Sequence, residues 1–303
     1  TLELGVDPAS LVHALQNHDE LTYELLHWEN GHRDDIYSYK GAEVTGEQIA
    51  ASVRSDLVEQ LTGPDAPYNR VFTTNGIACT TASVVAAALG IRDLEDIDDI
   101  DPIRRAHLLL AMFNALQPGV FALSGWDLCG MLTLPISEVA QLVAAGDTRW
   151  INRGAHDLMG INPDARQSTA GMPVGRSLYG SIPEQLSDET SFIRQLQAIL
   201  KVRSHYGVAT SRQVDIPEVS HRGMLVLVHR LEGEGRFQLT VLNFAQEHIA
   251  GTVRSEHLPP GAVVKDMFSG HDIATVDDLH SFAIDMPTLH GMALLVETPA
   301  SED

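Results

Sequence analysis

The stretch that decides the fold reads Leu11-Val12-His13-Ala14-Leu15-Gln16-Asn17-His18-Asp19-Glu20. Its first six residues form a short apolar run, and its last four residues are polar. A buried strand of a parallel sheet has this pattern, because it is apolar along its length and delivers polar side chains at its carboxyl end. The sequence therefore predicts a buried strand over residues 11–16, with candidate functional groups directly after it.

A second run of the same kind covers residues 120–124 and ends in the polar segment Gly125-Trp126-Asp127. A helix is predicted before it, over Pro102–Gln117, and the pair Pro118-Gly119 separates that helix from the strand. Strand, long excursion, helix and strand is the order of a parallel β/α structure, in which chemistry is carried at the carboxyl ends of the strands. We expect the two polar segments to serve that purpose.

The excursion between the two strands, about residues 21–100, is interpreted as a long polar insertion. Helices are predicted near residues 45–61 and over residues 80–89. The acidic run over residues 93–101 lacks the glycine and the spacing of a calcium-binding EF-hand loop. We interpret it as a solvated connector that leads into the next helix.

The sequence pattern changes from helical to β-type near residue 207. A helix is predicted before this point, with Phe192, Leu196 and Ile199 on its apolar face. After it, short β-type runs alternate with turns, which is typical of a small antiparallel sandwich; the runs cover residues 224–231, 237–244, 251–254, 263–268 and 292–296. The predicted domains are therefore residues 1–206 and 207–303.

The composition excludes several classes of protein. The 303 residues carry a formal charge of −21, which repels nucleic acid and anionic membrane surfaces. No apolar run approaches the roughly 18 residues of a membrane span. Cys79 and Cys129 are too few for a disulfide framework. Signatures of nucleotide-binding, zinc-protease and serine-hydrolase sites are missing.

The candidate functional residues therefore lie at the carboxyl ends of the two predicted strands. His18 and Asp19 place an imidazole and a carboxylate side by side, as a reaction with an oxocarbenium-like transition state requires. A capped strand end with a hydrogen-bonded histidine is the alternative. Trp126 and Asp127 are candidates for sugar stacking and hydroxyl binding, and packing of Trp126 in a wall is the alternative.

Four segments together resemble the α-amylase superfamily of glycoside hydrolases (family 13), and within it the trehalose synthases, or maltose α-D-glucosyltransferases. They are residues 14–22, 75–81, 116–127 and 176–181, and the resemblance covers nearly the whole chain. The resemblance implies an α/β fold: the C-terminal part of a (β/α)8 TIM barrel, with strands seven and eight and a long insertion after strand seven. An antiparallel β-sandwich would follow it.

The resemblance also implies roles. Asp19 would stabilise the transition state, and His18 would bind the glucosyl group. Apart from the roles that the resemblance implies, we expect Glu20 to pair with an arginine from the missing half of the barrel, because an isomerising enzyme must keep water out; an exposed loop carboxylate is the alternative. Arg153, with Arg149, would approach the same mouth, and a salt-bridged loop explains both arginines equally well.

The nucleophile and the acid/base of such enzymes lie on strands four and five, which have no counterpart in this sequence. Two βα units cannot close a barrel, so we expect the missing N-terminal half of the barrel as a partner. The expected reaction is isomerisation of maltose to trehalose by retaining intramolecular transglucosylation. An amylase-type or α-glucosidase hydrolase, and a non-catalytic carbohydrate-contact module, remain as alternatives.

The remaining expectations follow from the same resemblance. The expected substrate is a disaccharide, maltose or trehalose; the charge and the short apolar runs, and not the resemblance, argue against nucleic acid and a membrane as partners. The chemistry needs no cofactor and no metal among these residues, and a structural Ca²⁺ would take its ligands outside this chain. A homo-oligomer stays open, and the expected location is cytoplasmic.

Overall fold

The computed structural model of the chain describes residues 6–64, 66, 68–93 and 99–298. Residues 94–98 of the acidic run lie outside the described residues, so the predicted connector stays a prediction. Within the described ranges, every helix is too short or too polar to cross a lipid bilayer.

Sixteen strands are assigned among the described residues. In chain order they are β1 (Val12–Ala14), β2 (Leu21–Thr22), β3 (Ile36–Tyr39), β4 (Ala42–Thr45), β5 (Arg70–Thr73), β6 (Gly76–Ala78), β7 (Val120–Ala122), β8 (Arg212–Asp215), β9 (Glu218–Val219), β10 (Met224–Arg230), β11 (Arg236–Asn243), β12 (Ile249–Arg254), β13 (Val263–Asp266), β14 (Asp272–Thr275), β15 (Ser281–Met286) and β16 (Gly291–Glu297).

Seven α-helices are assigned in the same ranges. They are α1 (Gly46–Thr62), α2 (Thr81–Ala88), α3 (Asp101–Ala115), α4 (Gly125–Cys129), α5 (Ala140–Val143), α6 (Ile182–Ser187) and α7 (Phe192–His205). Short turns of 3₁₀ and π helix include Thr148–Asn152 and His27–Gly31.

The chain divides into two compact units. The first unit comprises the chain up to Leu15, Arg104–Leu123 and the chain from Glu184 onwards. The second unit comprises Gln16–Ile103 and Ser124–Pro183. The predicted domain limits at residues 206 and 207 stay a prediction.

In the first unit, β1 and β7 pair in parallel, with Val12 opposite Val120. The predicted burial of these strands is wrong for this chain, since Val12 is 66% exposed and Val120 is 56% exposed. The reason is that β1 and β7 form a two-stranded sheet, so within the described residues each strand has only the other as a hydrogen-bonded neighbour.

The rest of the first unit contains the antiparallel sheets expected of a sandwich. One sheet has the order β14-β13-β16-β11-β10-β8, and the other has the order β15-β12-β9. Their inner faces share one core, in which Leu239 and Leu294 of the larger sheet pack with Ile249 and Phe282 of the smaller sheet. All five β-type runs predicted after residue 207 are strands, and β8, β9, β14 and β15 are additional.

The second unit is more ordered than the predicted polar insertion. It contains the sheet β2-β6-β5 and the hairpin β3-β4 in addition to the two predicted helices, α1 and α2. Thr45 begins α1 with a capping box, in which Thr45 and Gln48 each satisfy the other's main-chain N–H. Among the described residues of the unit, small apolar cores form around Ile77 and Leu61 and around Leu134 and Ile151.

Candidate active site

The predicted site residues His18, Asp19 and Glu20 lie in the second unit, between β1 and β2 in the chain. The Asp19 main-chain N–H donates to Asn17 Oδ1 over 2.7 Å, which fixes a local turn. His18 Nε2 lies 3.4 Å from Asp19 Oδ2, and the side chains of His18 and Asp19 are 72% and 42% exposed. The imidazole and the carboxylate are therefore adjacent and reachable from solvent.

A second segment, residues 147–153, forms the other side of the site. Asp147 begins it, because its Oδ1 accepts the Arg149 main-chain N–H over 3.0 Å and so caps the 3₁₀ turn Thr148–Asn152. Ile151 and Asn152 are buried, and this anchors the turn in the unit. Anchoring leaves three side chains of the segment directed at residues 18–20; they belong to Arg149, Asn152 and Arg153.

Arg149 bridges the two acidic residues of the strand-end segment. Its Nη1 donates to Asp19 Oδ1 over 2.7 Å and lies 3.4 Å from Glu20 Oε2. Its Nε and Nη2 donate to the two carboxylate oxygens of Asp147, over 2.8 and 3.1 Å. The guanidinium also lies 4.3 Å from the centre of the Phe72 ring, a cation–π arrangement. Arg149 is thereby held in one orientation.

Arg153 and Asn152 bind the main chain of the same segment. Arg153 Nε donates to His18 O over 2.7 Å, and its guanidinium lies 3.8 Å from Asp19 Oδ1. Asn152 Nδ2 donates to Asp19 O over 2.8 Å. The guanidinium of Arg153 is a charged donor and forms the stronger class of hydrogen bond. With the amide of Asn152 it holds the main chain at His18 and Asp19.

The site combines three carboxylates with two guanidinium groups. Arg149 donates to Asp147 and, with Arg153 nearby, holds the pKa of the Asp147 carboxyl below its ordinary value. The same hydrogen bonds, with Asp19 and Glu20 close by, raise the pKa of Arg149. Both effects keep the Asp147 carboxylate and the guanidinium of Arg149 ionised together.

Glu20 has an arginine partner within this chain, because Arg149 Nη1 lies 3.4 Å from its Oε2. The predicted pairing of Glu20 with an arginine from the missing half of the barrel stays a prediction. The salt-bridged loop, which was the alternative for Arg149 and Arg153, is present, because both arginines pair with Asp147. The same two arginines also reach residues 18–20, so the loop contacts and the approach to Asp19 coexist.

Trp126 and Asp127 lie on α4 and not in a loop that leaves β7. Trp126 Nε1 donates to Gly154 O over 2.8 Å, so its polar edge is used in packing. Asp127 is fully buried, and its Oδ2 accepts from Ser124 Oγ over 2.8 Å in the capping box of α4. These contacts give both residues a local structural role, and their part in binding substrate stays a prediction.

Three residues of the site were not predicted from the sequence: Gln16, Asp147 and Asn152. Gln16 Oε1 accepts the Thr81 main-chain N–H over 3.1 Å, and Gln16 Nε2 lies 3.4 Å from Asn152 O. A local signal existed for Asp147, because an aspartate two residues before an arginine and at the start of a short turn is a good capping residue. Asn152 carries no such signal, since its partner is 133 positions away.

A metal centre has no support in the described ranges, where no three His, Cys, Asp or Glu side chains converge as metal ligands would. The expected structural Ca²⁺ would in any case take ligands from outside this chain, so it remains a prediction.

Comparison with known proteins gives no family assignment from sequence. No family model matches the chain, and no curated protein matches it. Solved structures do resemble it in part. An α-amylase from Geobacillus thermoleovorans, solved with acarbose, matches at 12% identity and a TM-score of 0.44, over 72% of this chain and 37% of that chain.

Two further solved structures have comparable scores. Trehalose-6-phosphate hydrolase from Bacillus licheniformis matches at 15% identity and a TM-score of 0.44, over 66% of this chain and 40% of that chain. A trehalulose synthase variant in complex with Tris matches at 16% identity and a TM-score of 0.45, over 66% and 40%. The chain spans about two fifths of the length of these proteins. Because each of these TM-scores lies below 0.5, the function proposed below rests on the residues of this chain.

Proposed function

We propose that this chain is the C-terminal part of a retaining α-glucoside-processing enzyme of the α-amylase superfamily, and that the enzyme isomerises maltose to trehalose. The observation that carries the proposal is the arrangement at Asp19. Its carboxylate lies beside His18, its main-chain oxygen is bound by Asn152, and its Oδ1 accepts from Arg149. The motif around Asp19, which resembles that of the trehalose synthases, supports the same role.

The chemical role follows from the transition state. Cleavage of a glucosidic bond builds positive charge on the anomeric carbon and ring oxygen, and a fixed carboxylate stabilises that charge. Arg149 keeps Asp19 in one place while leaving Oδ2 on the side of His18. His18, whose side chain is 72% exposed, is placed to hydrogen-bond a sugar hydroxyl. In this proposal Asp19 is neither the nucleophile nor the acid/base.

The nucleophile and the acid/base are proposed to come from residues outside these 303, in the missing N-terminal half of the barrel. The exposed strands β1 and β7 support this part of the proposal, because Val12 and Val120 leave apolar surface uncovered. A retaining pair requires two carboxylates about 5–5.5 Å apart, and the reaction proceeds through a covalent glucosyl-enzyme. Isomerisation then requires that the freed glucose is recaptured before water reacts.

The second candidate is an α-glucoside hydrolase, and one observation favours it. Asp19 is 42% exposed on its side chain and His18 is 72% exposed, so water has access to the site in this chain. Hydrolysis uses that water as the second nucleophile, whereas isomerisation requires its exclusion. The products of maltose turnover separate the two candidates, since isomerisation yields trehalose and hydrolysis yields glucose alone.

The test uses the complete protein that contains these residues, incubated with maltose and analysed by chromatography. We expect trehalose as the main product, and we expect Asp19→Asn to lower kcat by about 10²–10³-fold, the usual cost of losing one preorganised electrostatic group. Asp34→Asn is the matched control, because Asp34 is an exposed aspartate of the same unit. Undiminished turnover in Asp19→Asn would remove Asp19 from the mechanism. Absence of turnover in the unaltered protein would favour the non-catalytic alternative.

A further inference from the structure

One segment binds two consecutive residues of the candidate site through three side chains. Arg153 Nε donates to His18 O over 2.7 Å, and Asn152 Nδ2 donates to Asp19 O over 2.8 Å. Arg149 Nη1 donates to the Asp19 carboxylate over 2.7 Å. The main-chain oxygens of His18 and Asp19 are therefore both bound, and neither contact involves the Asp19 side chain.

Asn152 occupies the centre of this arrangement. It has no exposed surface, and its own main-chain oxygen lies 3.4 Å from Gln16 Nε2. Gln16 in turn accepts the main-chain N–H of Thr81 at the start of α2. Asn152 thus links α2, through Gln16, to the main chain of Asp19. Its Oδ1 is buried and has no partner among the described residues, so the hydrogen bond to Asp19 O is what its side chain provides.

We propose that Asn152 is a positioning residue for Asp19, which sets the rate of turnover and leaves substrate affinity almost unchanged. The proposal rests on the proposed function and goes beyond it by assigning a role to a residue that is too buried to touch substrate. Misplacement of a reacting group by about 1 Å costs on the order of 100-fold in rate. Ground-state binding depends on other contacts, so KM is expected to change less than threefold.

The substitution Asn152→Asp separates positioning from simple packing. The two side chains have the same shape, but an ionised carboxylate cannot donate to Asp19 O, whereas a protonated carboxyl can. The position has no exposed surface, so desolvation is the largest effect and raises the pKa of the introduced carboxyl; the neighbouring carboxylates act in the same direction and the guanidinium groups oppose it. The hydrogen bond from Asn152 to Asp19 O joins two segments whose charged and titratable side chains are Asp19, Glu20, Asp147, Arg149, Arg153 and His18.

The expected signature is a change in pH profile. At pH 8 the variant should show kcat about 10–100-fold below that of the unaltered protein, with KM within threefold. The kcat of Asn152→Asp divided by that of the unaltered protein should rise as the pH falls from 8 to 5, because protonation of the introduced carboxyl restores the hydrogen-bond donor. A packing defect would lower kcat by the same factor at every pH. Asn30→Asp, at an exposed asparagine of the same unit, should leave the ratio near one throughout.

The measurement is maltose turnover by the complete protein, with circular dichroism to establish that each variant is folded. Asn152→Ser is the second variant, and it should lose kcat by at least 10-fold without a pH-dependent recovery. A kcat equal to that of the unaltered protein in either folded variant, or a constant ratio across pH in Asn152→Asp, overturns the proposal. So does failure of both variants to fold, since Asn152 is then a folding determinant. Failure of the proposed function would appear separately, as full activity in Asp19→Asn.

Discussion

His229 should make the first unit sensitive to mild acid. It lies on β10 with no exposed surface, and its Nδ1 lies 3.0 Å from Gln238 Oε1. Gln238 is held in turn, because its Nε2 donates to Thr240 Oγ1 over 2.8 Å. Gln238 Oε1 therefore accepts from Nδ1–H, and Nε2 of the neutral ring is buried without a partner among the described residues. A proton on Nε2 would be left without an acceptor.

Burial, opposed by the bond to Gln238 and assisted by the charge of nearby His13, lowers the pKa of His229 to about 4. In the unfolded chain the pKa is about 6.5. The unfolded state therefore binds more protons between these values, so stability is highest above pH 6.5 and is lost as the pH falls towards 4. From pH 7.5 to pH 5 the loss from this one residue is about 2 kcal/mol.

The assay has to report on the first unit alone. Trp28, Trp126 and Trp150, the three tryptophans, all belong to the second unit, so tryptophan fluorescence is unsuitable. Hydrogen exchange of amides in β10 and β11, corrected for intrinsic rates, measures the opening free energy of this sheet. It is measured at pH 7.5 and pH 5 in the unaltered chain and in His229→Leu, which cannot take up a proton.

We expect His229→Leu to lose about 2 kcal/mol less than the unaltered chain over this pH range. The comparison is between two pH values, so the constant cost of losing the bond to Gln238 cancels. His271→Leu, at an exposed histidine of the same unit, should retain the full acid sensitivity. Equal acid sensitivity in the unaltered chain and in His229→Leu would refute the reasoning, because His229 would then titrate alike in both states.

Two further predictions concern the site and the turn before β7. Glu20→Gln weakens the contact to Arg149 Nη1, so under the proposed isomerisation of maltose the complete protein should release several-fold more glucose for each trehalose formed; an unchanged product ratio would exclude Glu20 from water exclusion. Arg203 donates to the main-chain oxygens of Ala115, Gln117 and Gly119, and its burial lowers its pKa. Arg203→Met should therefore destabilise the first unit by about 2–4 kcal/mol, measured by hydrogen exchange in β7, and a loss below about 0.5 kcal/mol would contradict this.

Local signals explain why much of the fold was predictable from sequence. Thr45 and Gln48 form a capping box three residues apart, and the helix predicted from residue 45 begins at Gly46. The apolar spacing of Phe192, Leu196 and Ile199 likewise matches α7, where all three are buried. Such signals are contained within a few residues, so they remain readable without tertiary contacts.

The hairpin β3-β4 shows where local signals are weak. Its two turn residues, Lys40 and Gly41, have φ angles of 50° and 82°, as the favoured two-residue hairpin turns require. Lys40 carries a Cβ in this left-handed region, whereas asparagine or aspartate would have marked the turn in the sequence. The prediction that β1 is buried is wrong for a different reason. Burial depends on neighbouring strands and not on the apolar character of the strand itself.

The candidate site likewise contains residues that local sequence signals predict and residues that only tertiary contacts bring together. His18 and Asp19 were predictable because they follow an apolar run directly, but what holds Asp19 lies 130 residues further along the chain. Arg149 can contact Asp19, Glu20 and Asp147 together only because Asp147 fixes the turn that carries it. All of these residues belong to the second unit, so the orientation of Asp19 is determined within this chain. A partner that supplied the nucleophile and the acid/base would therefore meet a carboxylate that is already in place, and substitutions in residues 147–153 should lower turnover without weakening that partner's binding.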